Sequence, residues 1–188
     1  MHVNSSDPLA WWNSLATGLP PRGHLLRDHW RERWLRLHSL PGAKRYADTP
    51  EEAREIVQRH EAVGSALFTA GEPLFVFRAI WEPSPRRSRS RPRPQIAGRQ
   101  FRETVCEMGE DPPLQVRGLA TTWKPDFFEA LVALVADNQE VGLSLASPAT
   151  GNMLCPYDGG MDVFSVSVAP NELAARFAAW RSSQPDGL

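Results

Sequence analysis

The chain has 188 residues and only two cysteines, Cys106 and Cys155, with no CxxC pair. A disulfide scaffold is therefore not expected, and a reducing, cytoplasmic compartment fits best. No apolar run approaches the roughly 20 residues that a membrane span needs. The longest, 127–136, is interrupted by Glu129. The first seven residues, MHVNSSD, carry neither a basic nor an apolar signal region, and lipidation motifs are lacking. There is no P-loop, GxSxG or HExxH pattern. The five histidines are scattered, so neither a zinc site nor any cofactor is expected.

What is present suits an ordinary folded protein. Hydrophobic residues make up 41% and charged ones 23%, and seven Trp and eight Phe supply a core. Net charge is −1 but unevenly spread. Residues 83–102 hold seven arginines and no acid. Removing those seven from 21 basic residues leaves 14 against 22 acidic ones, a balance of −8 for the remainder.

Local signals divide the chain into helices and short strands. Asp7-Pro8 opens a first helix, N-cap followed by proline at N1. Within it Trp11 and Trp12 must point apart, leaving one free to meet a partner. Leu26, Trp30 and Trp34 recur every fourth residue and predict a second helix from about His24. Residues 33–38 alternate like a strand, and 40–46 form a loop. Thr49-Pro50-Glu51-Glu52 is a capping box opening a helix that buries Ala53, Ile56, Val57, His60, Val63, Ala66 and Leu67. The near-continuous apolarity of 73–81 predicts a central strand. Residues 83–95, rich in Arg, Pro and Ser, read as a flexible insertion. Strands are expected over 100–106, 114–123, 140–146, 153–155 and 161–168, and helices from Pro125 and Pro170, with a frayed tail from 182. Hairpin-like spacing favours an antiparallel or mixed sheet with helices packed on it, one α+β domain.

Three segments can carry function. In Pro156-Tyr157-Asp158-Gly159-Gly160-Met161-Asp162, two carboxylates flank adjacent glycines. They can bind a metal, act as an acid/base pair or receive a basic partner; otherwise this is a hairpin turn whose aspartates bond their own backbone. The loop after the first strand gathers His38, Lys44, Arg45 and Tyr46, an anion site with His38 as acid/base, or a structural loop whose cations meet surface acids. The alternation Arg87-Ser88-Arg89-Ser90-Arg91 can neutralise phosphates of nucleic acid, though it lacks aromatics for base stacking.

Residues 37–47, LHSLPGAKRYA, resemble the HSLP-x-x-KRY signature of bacterial proteins of unknown function, with Ala43 where serine is expected. Residues 150–162, TGNMLCPYDGGMD, are similar to the TG…PYDGGMD ending of that group. They are also similar to the ending of a related domain family, some of whose members look like toxin-immunity proteins. The resemblance implies a bacterial source and an α+β fold, and no catalytic residues. The leading expectation is a non-catalytic, immunity-like domain that holds a protein partner through an acidic face around Asp158 and Asp162. The alternatives are a small enzyme or ligand-binding protein with a site joining the His38–Tyr46 and Asp158–Asp162 loops, and nucleic-acid binding through the arginine-rich loop.

Overall fold

The computed structural model describes residues 6–15, 17–80, 106–108 and 114–182. The insertion at 83–95, all but the last residue of the strand expected over 100–106, and the tail after 182 lie outside them. Seven strands form one sheet: β1 (Trp34–His38), β2 (Pro73–Ile80), β3 (Cys106–Met108), β4 (Leu114–Thr122), β5 (Leu143–Ala146), β6 (Met153–Tyr157) and β7 (Gly160–Phe164). Their order is β1-β7-β6-β5-β2-β4-β3, and every pairing is antiparallel. The α-helices are α1 (Pro8–Ser14), α2 (Gly23–Leu26), α3 (Pro50–Leu67), α4 (Pro125–Ala136) and α5 (Pro170–Arg176). This is an α+β fold.

Both sheet faces are covered, which is why β2 reads as continuously apolar. Leu74 and Val76 join a core under α3, α4 and α5. Phe75, Phe77 and Ala79 join a second core under α1 and α2. β2 pairs with β4 on one side and β5 on the other, so it is an interior strand.

The helix starts behave as local chemistry dictates. Asp7 accepts from the Leu9 and Ala10 amides, and Thr49 Oγ1 from the Glu52 amide. The Glu52 carboxylate takes the Asp48 amide and Lys44 Nζ, and the Thr49 amide also helps to hold it in its charged form, as a capping box requires. Along α3, Ala53 is exposed and Arg59 is buried in its stead. The Arg59 guanidinium sits 5.2 Å over the Trp180 ring and donates to the His38 carbonyl.

The Leu26/Trp30/Trp34 stripe is a core contact but not a helix. α2 is one turn, Trp30 leaves the helical region at φ −121, ψ 36, and Trp34 begins β1 because β7 is there to pair with it. Trp30 still packs on Trp12 and Phe164. Trp11 and Trp12 are both buried, because α1 lies against the sheet and both rings meet Phe77. Neither is a free surface. β7 ends at Phe164, short of the expected 168, because the Val166 and Ser167 amides donate to Asn152 Oδ1. β6 runs two residues beyond Cys155 through Pro156. The missing N–H is tolerated because β5 pairs with β6 only at Leu154 and Met153. No helix of the described residues is long and apolar enough to cross a membrane.

Candidate functional site

The two signature loops meet at one end of the β1–β7 ladder. Antiparallel pairing places His38 opposite Gly160, and the Ser39 amide donates to the Gly159 carbonyl at 3.1 Å. Asp158-Gly159 is the two-residue turn between β6 and β7. Asp158 does not close on its own backbone; Tyr46 Oη donates to its Oδ2 at 2.9 Å, and Arg45 Nε lies 3.8 Å from the same oxygen. The Arg45 stem lies over Gly159, where a Cβ would come 3.1 Å from Arg45 Cγ. Gly160 is needed for packing: a Cβ there would stand 2.3 Å from the Leu37 carbonyl and 2.9 Å from Tyr157 Oη.

Tyr46 and Arg45 remain exposed, at 47% and 67%. The hydrogen bond to Asp158 holds the Tyr46 phenol above its ordinary pKa. Lys44 turns back to Asp48 and Glu52, whose carboxylates raise its pKa. His38 sits half-buried at the junction, its pKa lowered first by burial and then by Arg36.

Asp162 and Tyr157 go elsewhere. Strand alternation sends Asp162 to the α1/α2 face, where it is 2% exposed. Arg27 Nη2 donates to Oδ2 at 2.9 Å, Arg27 Nε lies 3.2 Å from both oxygens, and Trp34 Nε1 donates to Oδ1 at 2.9 Å. Arg36, its direct cross-strand partner, places a buried Nε 3.5 Å from Oδ1, too long for a good hydrogen bond. The Arg36 guanidinium lies between Trp34 and Tyr157, 5.7 and 5.6 Å from their ring centres. Asp162 is thus an internal counter-ion rather than part of an acidic docking face. Arg27, Trp34 and Arg36 carry no local sequence signal for this role, because they meet the carboxylate from 135 and 128 positions away or across a ladder.

Two buried groups give direct tests. Burial pushes the Cys155 thiol up to about 12. Alkylation at pH 8, read on the Cys155 peptide, should therefore proceed only as fast as the chain opens. Labelling faster than amide exchange of β6 would contradict this placement. His60 is fully buried, with Nδ1 2.8 Å from the Ile56 carbonyl and Nε2 3.3 Å from that of Gly160. Burial lowers its pKa and outweighs the two carbonyls, which raise it. The unfolded chain therefore binds the extra proton, and stability is lost as pH falls below the unfolded value of about 6.5, at up to about 1.4 kcal/mol per pH unit. Urea midpoints at pH 7 and 5.5 should show that loss, and His60→Gln should reduce the slope; an equal slope in both would reassign the titration.

Among the described residues no group of three His, Cys, Asp or Glu is placed to hold a metal ion. Fold and site together define an antiparallel α+β domain whose two distant loops are fused into one surface. The chain belongs to the family described as a domain of unknown function (DUF3885), whose model matches residues 22–185. No curated protein and no solved structure matches it significantly.

Proposed function

We propose that the chain is a non-catalytic binding protein that holds a protein partner, in the manner of an immunity protein, through the fused loop surface. The observation that carries this reading is the Tyr46–Asp158 hydrogen bond. It holds an exposed tyrosine in place beside Arg45, and Tyr and Arg are among the residue types enriched at interface hot spots. Asp48 and Glu51 at the adjoining start of α3 are 79% and 70% exposed. With the −8 balance outside the arginine-rich segment, they favour a basic partner and fast, salt-sensitive association. Asp48 and Glu51 are themselves paired with Lys44 and Arg54, so the acidic character rests on the overall balance of the chain and not on Asp162.

The tagged chain should recover a stoichiometric partner from its host at low salt, and Tyr46→Ala should weaken that complex by about 30-fold. Recovery of nothing at low salt, or an unchanged complex with Tyr46→Ala, overturns the reading.

A ligand site between the loops is the second reading, favoured by their direct contact. Against it, Asp162 faces away, so the loops share one carboxylate instead of two. The nucleic-acid reading rests on residues outside those described. Deleting 85–94 should abolish any salt-sensitive mobility shift of labelled DNA or RNA, and a persisting shift would discard it.

A further inference from the structure

We propose that His60 is a proton-operated clamp on the β6–β7 turn: neutral, it bonds within α3 alone, and protonated, it also grips the Gly160 carbonyl. α3 braces the fused loops from beneath at three points. Glu52 holds Lys44 and the Asp48 amide, Arg59 donates to the His38 carbonyl, and His60 reaches the Gly160 carbonyl. The first two are made by groups that stay charged around neutral pH. The third depends on an imidazole, which changes charge there.

The geometry sets the two states. The ring is buried, with Nδ1 2.8 Å from the Ile56 carbonyl and Nε2 3.3 Å from the Gly160 carbonyl. A carbonyl can only accept, so each nitrogen needs a proton to bond its neighbour, and a neutral imidazole carries one. The shorter contact assigns that proton to Nδ1, inside the helix. Nε2 then turns a lone pair toward the Gly160 oxygen, and no bond forms there. An imidazolium has a proton for each carbonyl. The seam is under-bonded at a second point. Ser39, whose amide holds the Gly159 carbonyl, is 1% exposed, and its hydroxyl has no partner among the described residues. A junction with bonds left unmade has room for a second arrangement.

The ionisable groups on the elements around the ring are Glu55 and Arg59 on α3, His38 on β1, and Tyr157 and Asp158 at the turn, while α4 presents Phe128. None of these charges is among the causes that shift His60; burial lowers its pKa and the two carbonyls raise it. The change of state therefore falls below the ordinary value of about 6.5. Stability and clamping then run in opposite directions, since acid weakens the fold while it tightens the turn. Gly160 carries the turn tip, where Asp158 meets Tyr46. That this surface receives a partner rests on the function proposed above; the clamp itself does not.

NMR of the full-length chain tests the clamp. At about pH 7.5 the His60 ring nitrogens should show the proton on Nδ1 and a bare Nε2. On lowering to about pH 4.5, the Gly160 carbonyl carbon signal should move with the same midpoint as the His60 ring. His60→Gln should abolish that movement and His38→Gln should retain it, with cooperative melting showing that both fold. If His60→Gln does not fold, the tautomer and the shared midpoint in the parent chain decide alone. A partner captured on the loop surface should bind about threefold or more tightly across the same titration, because the turn is held in advance, and His60→Gln should lose that gain. Failure to capture a partner sinks the loop-surface reading and leaves the NMR result standing. The clamp is overturned if the neutral ring carries its proton on Nε2, or if the Gly160 carbonyl ignores the ring titration. It is equally overturned if the Gly160 signal titrates unchanged in His60→Gln, or if the ring does not titrate before the chain unfolds.

Discussion

Asn152→Ala is expected to destabilise the chain by about 4 kcal/mol, because each buried polar group left without a partner costs about 1–3 kcal/mol. Asn152 is fully buried, and its amide makes four hydrogen bonds. Nδ2 donates to the Leu67 carbonyl at the end of α3 and to Ser167 Oγ. Oδ1 accepts from the Val166 and Ser167 amides. One side chain thus ties the end of α3 to the chain leaving β7, and alanine would orphan groups on both. Asn152→Asp keeps the two acceptor bonds but loses both donors and sets a negative charge against the Leu67 carbonyl, so it should be nearly as harmful. Urea unfolding checks both. A loss below about 1 kcal/mol for alanine would mean that water replaces the amide at no net cost.

Asp162→Ala should cost about 3–5 kcal/mol, the range for breaking a buried ion pair and leaving its partner uncompensated. Two arginines lose their counter-ion at once, and Trp34 loses its acceptor. Asp162→Asn retains an acceptor for Trp34 and should cost less. The Arg27→Met, Asp162→Ala double variant should recover part of the loss, since the strongest stranded charge is removed with its partner. A double-mutant cycle reads that coupling, and strictly additive losses would show that Arg27 does not depend on Asp162.

What the sequence reveals follows the range of the interaction. Caps act within four residues, and Asp7 and Thr49 are legible as helix starts without knowledge of the rest. The β2 run is legible because burial on both faces removes polar residues from it. The Trp30–Trp34 stripe misleads because spacing records shared burial, and two rings can reach one core from a helix-like period without a helix. Both signature segments are recognisable as unusual, but their division of labour is not. Asp158 sits at a turn tip and meets Tyr46 from the other loop, while Asp162 is four residues on and faces the opposite side of the sheet. Only the β1–β7 register decides that Arg36 is the residue across from Asp162. Asn152 reads as turn chemistry, and its four long-range bonds have no local signature.

The strand order also bears on the making of the protein. β1 lies early in the chain and finds its neighbour in β7, so Trp34 pairs with Phe164 only after everything between has been synthesised. Nascent chains that stop before residue 160 can form the β2–β4 ladder but hold β1 as an unpaired segment with exposed Leu35 and Leu37. During translation that apolar strand is a natural client for chaperones, and ladders of this separation form slowly. Circular permutants that bring β7 next to β1 would remove the delay.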